Sequence, residues 1–146
     1  IKYFNVNAFL IIMFLFFYIS FSDQKELTVN QEADATLECS GSTNATVIMI
    51  RWEKPNLTSA CVICFIDDQL QKDIQHELFK NRVDMTDPKW KETGNFSVSL
   101  KNVTTNDSGT YICEAGYNGQ EPVLLSTVTL KVEVQGEFNF TQLNEQ

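Results

Sequence analysis

The stretch Asp107-Ser108-Gly109-Thr110-Tyr111-Ile112-Cys113 decides how the rest of the chain is read. It joins a turn to a strand. Asn106, Asp107 and Ser108 are residues whose side chains bond back to local backbone, and Gly109 tolerates positive φ, so a turn is expected here. Tyr111, Cys113 and Ala115 then share one face of a period-two strand. A tyrosine two residues before a cysteine has the spacing at which its hydroxyl can return to the backbone of the preceding turn. Working backwards, Cys39 lies 74 residues before Cys113, at the end of the alternation Ala33, Ala35, Leu37. Trp52 follows Cys39 by 13 residues, on a face shared with Ile48 and Ile50. In an oxidising compartment, facing thiols on two packed sheets can form a disulfide, and the indole can pack on that bridge.

The segments between these landmarks are short and alternating. Phe96-Ser97-Val98-Ser99-Leu100 alternates along its length, and Val128, Leu130, Val132 and Val134 share a face. Pro55, Pro88 and Pro122 fall in connections, where a missing N–H costs nothing. Such a pattern predicts an all-β sandwich over residues 24–135. Residues 69–80 could place Leu70, Ile74 and Leu78 on a helical stripe, but the β context favours an edge strand and loop. No internal repeat or low-complexity tract is visible.

Cys39, Trp52, Leu100, Asp107, Gly109, Tyr111 and Cys113 together resemble the immunoglobulin superfamily pattern. The resemblance covers about residues 24–135 and implies an immunoglobulin V-type two-sheet Greek-key β-sandwich. The variable type is implied because the long interval between the cysteines leaves room for two extra strands. It further implies a core of Trp52, Tyr111 and Leu100 and a structural ion pair between Arg82 and Asp107 across one end. Phe79-Lys80-Asn81-Arg82-Val83 and Leu100-Lys101-Asn102-Val103-Thr104-Thr105 resemble the butyrophilin and T-cell costimulatory-ligand group, particularly its fish-type members. The segment after Cys113 lacks the Gly-x-Gly of a joining segment, which separates the chain from rearranged antigen receptors. In the costimulatory group a protein receptor on a lymphocyte usually docks on an exposed sheet face. Carried onto this sequence, that face presents Met49, Arg51 and Glu53 on one strand, Ile112 and Glu114 on another, and Tyr117 in the following loop. The expected function is therefore a ligand or receptor ectodomain that regulates lymphocyte activation. The alternatives are a homophilic adhesion domain of junctional type, which would form a homodimer, and a secreted soluble inhibitor.

The start of the chain reads differently. Residues 8–19, AFLIIMFLFFYI, carry no charge; Lys2 precedes them and Ser20-Phe21-Ser22 follows. That order is expected of a secretory signal peptide over residues 1–22, cleaved after Ser22. The apolar run is too short to span a bilayer core, which takes roughly 20 residues. The V-set domain is then expected over residues 23–135, followed by a polar linker or tail over 136–146. The sequence does not begin with Met, and the expectation is a cell-surface protein whose anchor lies outside this stretch, with secretion as the alternative.

Charge and residue content exclude several function classes. There are 19 acidic against 11 basic side chains, a formal net charge of −8, and cleavage after Ser22 would remove Lys2 as well. Such a surface repels phosphate backbones, so no nucleic-acid partner is expected. With one histidine, no Gly-x-Ser-x-Gly and no phosphate loop, neither an enzyme nor a cofactor is expected. Asn44, Asn56, Asn95, Asn102, Asn106 and Asn139 each begin an Asn-x-Ser/Thr sequon and are candidate glycosylation sites. Cys61-Val62-Ile63-Cys64 could suggest zinc or thiol exchange, but zinc needs about four ligands. Two surface cysteines, unpaired or bridged to each other, are the first expectation, and an intermolecular disulfide the second.

Overall fold

The computed structural model describes residues 24–58 and 61–136. Among the described residues nine strands form two sheets. They are β1 (Gln24–Asn30), β2 (Ala35–Leu37), β3 (Val47–Glu53), β4 (Cys61–Ile66), β5 (Gln69–Leu70), β6 (Val83–Met85), β7 (Val98–Leu100), β8 (Gly109–Tyr117) and β9 (Val123–Glu133). The larger sheet has the order β1-β9-β8-β3-β4-β5 and the smaller β2-β7-β6. β1 runs parallel to β9, with Leu27 opposite Leu130 and Val29 opposite Val132. The other pairings are antiparallel. Residues 1–22, expected to be a signal peptide, and the tail beyond residue 136, with Asn139, lie outside the described residues.

The core is what the period-two pattern asks for. Leu37, Ile50, Trp52, Phe96, Val98, Leu100, Tyr111, Cys113 and Leu130 are all at or below 1% exposure, drawn from both sheets. Cys39 and Cys113 are disulfide-bonded between the sheets, with Cα atoms 6.5 Å apart. Trp52 stands opposite Cys113 in the neighbouring strand, and its Nε1 donates to Phe96 O at 2.9 Å, so the buried indole leaves no orphan N–H. The strand after the turn holds Tyr111, whose hydroxyl donates to Asp107 O at 2.5 Å.

Three departures from the sequence reading have local causes. The β3–β8 register shifts between Val47 and Met49; this turns Val47 inward (8% exposed) and leaves Ile48 40% exposed. Val134 lies just past the end of β9 and is 47% exposed rather than continuing the inward row. Residues 69–80 follow the expectation instead, holding the two-residue edge strand β5 and a loop, with a 3-10 turn at Glu77–Phe79. Burying Phe79 against Tyr111 requires that turn, with ring centroids 6.2 Å apart. A four-residue helix not anticipated from sequence, α1 (Trp90–Thr93), ends at Gly94 with φ 69. A side chain there would meet Gly41 O at 2.5 Å. α1 sets Trp90 edge-on to Phe96 at 6.0 Å, closing the core from outside. Among the described residues no helix is long and apolar enough to cross a membrane.

Candidate functional site: the outer face of the larger sheet

β3, β4, β8 and β9 present side chains on two sides. Ile50, Trp52, Cys113 and Ala115 face the core; the residues between them face outward and are half-buried by their neighbours. Met49 lies opposite Gly116, Arg51 opposite Glu114, and Glu53 opposite Ile112. β4 adds Ile66 opposite Met49 and Cys64 opposite Arg51, and β9 adds Leu124 opposite Glu114. Met49, Arg51, Glu53, Ile112 and Glu114 are thus brought together on one surface.

At its centre the charge is satisfied within the molecule. Arg51 donates to Glu114 Oε2 at 2.5 Å. Its Nε lies 3.3 Å from Glu53 Oε1, an ion pair at close range whose N–H is not directed at the carboxylate, so it makes no hydrogen bond. The bond to Glu114 raises the Arg51 pKa further, against the opposing effect of burial. One guanidinium between two carboxylates leaves a small negative excess.

Towards the β8–β9 hairpin the surface becomes apolar. A Cβ on Gly116 would come within 3.1 Å of Met49 Cβ and 3.9 Å of Ile48 Cγ1, so the missing side chain lets Met49 lie across β8. Ile48, Ile66 and Leu124 are 40%, 43% and 46% exposed. Exposed apolar groups around a charged centre are a surface that a partner can cover.

Tyr117 is a correction. The sequence reading placed it in a loop, facing outward. β8 instead continues through Tyr117, which keeps the inward parity of Tyr111, Cys113 and Ala115 and is 4% exposed. Its hydroxyl accepts from Ser42 N at 2.9 Å. It cannot touch a partner; it anchors the β2–β3 loop. Cys61 and Cys64 are bonded to each other, one of the two states expected first for them; the correction is to their place, since they are buried, at 5% and 2% exposure, rather than on the surface.

The opposite end of the sandwich is held by a polar cluster. Arg82 Nη1 and Nη2 donate to Asp107 Oδ1 and Oδ2 at 3.2 and 2.7 Å. Arg82 also donates to Leu78 O, Lys101 O and Asn102 O. Thr104 N donates to Asp107 Oδ2 at 2.7 Å. Burial alone would push the Asp107 carboxyl up; the bonds from Arg82 and Thr104 and the charges of Arg82 and Lys54 outweigh it and hold it below its ordinary value. Lys54, not singled out from sequence, is buried at 4% exposure and donates to Asn106 O and Asp107 O at 2.9 and 3.2 Å. Burial lowers its pKa, partly offset by Asp107. Tyr111 is pushed well up by burial and by Asp107, so it remains a donor.

The sequon asparagines lie elsewhere. Asn44 and Asn56 are exposed in the β2–β3 and β3–β4 connections, and Asn102 and Asn106 are exposed between β7 and β8. Asn95 is half-buried before β7, its Oδ1 accepting from Ser97 N. None of these five sits on a strand of the larger sheet.

Comparison with known proteins agrees with this geometry. Residues 22–133 match the family model of the immunoglobulin V-set domain. Human junctional adhesion molecule B is 29% identical over 112 residues, covering 77% of this chain and 33% of that protein; the chain thus spans about a third of that relative's length. Among solved structures, the human B7-H4 IgV-like domain superposes with TM-score 0.60 at 26% identity, covering 72% of this chain and 90% of that one. A chain of the crystal structure of ICOS in complex with ICOS-L and an anti ICOS-L VNAR domain gives 0.65 at 24%, covering 76% and 55%. Tim-1 gives 0.61 at 19%, covering 78% and 96%; these last two speak for the fold. The chain belongs to the immunoglobulin V-set family, whose domains work by binding and recognition.

Proposed function

We propose that this domain is the recognition module of an extracellular protein that regulates lymphocyte activation, docking a protein receptor through the outer face of its larger sheet. The observation that carries the reading is the combination at that face. Met49, Ile48, Ile66 and Leu124 form an apolar area beside the Arg51–Glu114 pair, and the described sequons lie off it. The likeness to the B7-H4 IgV-like domain supports a costimulatory-ligand character. In this reading residues 1–22 are a signal peptide, 136–146 a linker or tail, and the domain acts by binding, without catalysis. Arg51, at the centre of this face, is of a type enriched at interface hot spots, and Ile112 and Glu114 lie beside it on β8.

One substitution tests this. Leu124 precedes Leu125-Ser126, so L124N creates a sequon on the outer face, opposite Glu114. Tetramers of the secreted domain are expected to stain activated lymphocytes, L124N to abolish staining when its glycan is present, and trimming the glycan to restore it. Undiminished staining by glycosylated L124N would overturn the outer face as the docking surface. Similarity to an adhesion molecule supports a second reading, pairing with another copy through the same face. Sedimentation separates them: a dimer abolished by L124N favours adhesion, a monomer favours a separate receptor.

A further inference from the structure

β4 is irregular at one residue, and that irregularity brings its two cysteines together. In a regular strand residues i and i+3 point to opposite faces. Here Trp52 pairs with Ile63 but Glu53 pairs with Cys61, so Val62 is the extra residue of a β-bulge. Val62 and Ile63 are consecutive yet both buried, at 0% and 1% exposure. Cys61 and Cys64 are returned to the same side, opposite Glu53 and Arg51, and are bonded across the bulge. The displaced backbone finds partners in the chain after β5: Gln75 Nε2 donates to Val62 O and His76 N to Cys61 O, both at 2.9 Å.

We propose that the Cys61–Cys64 disulfide is a thiol-exchange site that locks this bulge, so that its reduction loosens the register of β4 under the outer face. The reductant is a dithiol. Its thiolate attacks one sulfur, the Cys61–Cys64 bond breaks, and a mixed disulfide forms. The reductant's second thiol resolves it and leaves as an internal disulfide. Two electrons pass to the protein and each cysteine sulfur ends with a proton.

Two features make this bond the one that exchanges. Both disulfides are buried in the closed fold, Cys39–Cys113 at or below 1% and Cys61–Cys64 at 5% and 2% exposure, so exchange at either waits on opening; Cys39–Cys113 lies between the sheets, and reaching it requires opening the core. β4 is covered on its far side only by the two residues of β5 and the connection after it, and such edges open locally at lower cost than the whole domain. With the bond broken, nothing covalent retains the extra residue. Glu53 is free to pair with Val62 in place of Cys61, which carries Val62 to the outer face.

The consequence for partner binding rests on the docking role given to that face; the lock itself is measured on the isolated domain. Limiting dithiothreitol followed by alkylation and peptide mapping should label Cys61 and Cys64 while Cys39–Cys113 stays intact. In the reduced domain and in C61S/C64S, NMR contacts between Glu53 and Cys61 (or Ser) should weaken in favour of Glu53 and Val62. Amide exchange at Val62 and Ile63 should quicken by about tenfold or more, with the β8–β9 amides unchanged. A change in global stability alone would move all amides together. Simultaneous reduction of both disulfides, or native pairing and exchange in the reduced domain, overturns the proposal. Should C61S/C64S fail to be secreted, the reduced wild-type domain gives the same reading; neither result depends on receptor binding.

Discussion

Asp107→Asn removes a charge while keeping the shape of the side chain that closes one end of the sandwich. The Asp107 side chain is 3% exposed and Arg82 is 27% exposed. The carboxylate accepts two bonds from Arg82 and one from Thr104 N. An amide has one acceptor oxygen and a donor that must face Arg82 or Thr104, both donors themselves. Hydrogen bonds to charged groups contribute about 1.5–3 kcal/mol each, and breaking a buried pair costs about 3–5 kcal/mol. Arg82 retains three carbonyl partners and part of its hydration, so the expected loss lies lower, at about 2–3 kcal/mol. With a urea slope of about 1–3 kcal/mol/M, the midpoint should fall by about 0.7–3 M at pH 7. The acid limb provides the sign. The folded-state pKa of Asp107 is depressed, so its contribution is fully present above the unfolded value of about 3.9 and is lost as pH falls through the folded value. The gap between wild type and D107N should therefore hold at neutral pH and close in acid below about pH 4. Urea titrations at pH 7 and in acid measure it. A gap below about 0.5 kcal/mol at pH 7, or one that does not shrink in acid, would refute the reasoning.

Other perturbations separate the core from the candidate surface. Trp52→Ala removes a buried indole and orphans Phe96 O, and should cost about 3–5 kcal/mol and sharply reduce secretion. Tyr111→Phe should cost only about 1 kcal/mol by urea unfolding, because Asp107 O keeps the Lys54 ammonium at 3.2 Å. Arg51→Ala breaks a pair whose members are 39% and 24% exposed, so stability should change by less than about 1 kcal/mol. Receptor staining should nevertheless fall by tenfold or more, to about the level of a lost hot spot. The glycan introduced by L124N should leave the unfolding midpoint within about 0.5 kcal/mol of wild type while blocking staining.

The fold was readable because burial in a sandwich follows side-chain parity, and parity is written directly in residues such as Leu37, Cys39, Ile50, Trp52, Tyr111 and Cys113. Parity also contained the position of Tyr117, two residues beyond Ala115, which belongs to the strand rather than to the loop after it. Bulges were the features that sequence could not supply. Nothing in Val47-Ile48-Met49 or in Cys61-Val62-Ile63-Cys64 announces an extra residue, since a bulge is a property of two paired strands rather than of one. That is why Ile48 was placed in the core and Cys61 and Cys64 on the surface. Lys54 escaped notice for a related reason. Its burial depends on carbonyls from a turn over 50 residues away in sequence, and a lysine next to Pro55 otherwise reads as solvated. Of the outer face, Met49, Arg51, Glu53, Ile112 and Glu114 were legible as alternate residues of β3 and β8. The opening left by Gly116 required the partner strand.

The parallel course of β1 beside β9 gives the domain a direction. Gln24 lies opposite Thr127 and Asn30 opposite Glu133, so β9 finishes at the end occupied by the Thr105–Asp107 turn, where Val132 N bonds to Ser108 Oγ. Whatever chain follows residue 136 departs from that pole, beside the sequons at Asn102 and Asn106. The apolar end of the outer face, around Met49, Gly116 and Leu124, is at the other pole with the β8–β9 hairpin. A tether attached behind β9 would thus hold the domain like a raised hand, with the sequons at its wrist towards the attachment point and its open palm displaced outward by most of the length of β9.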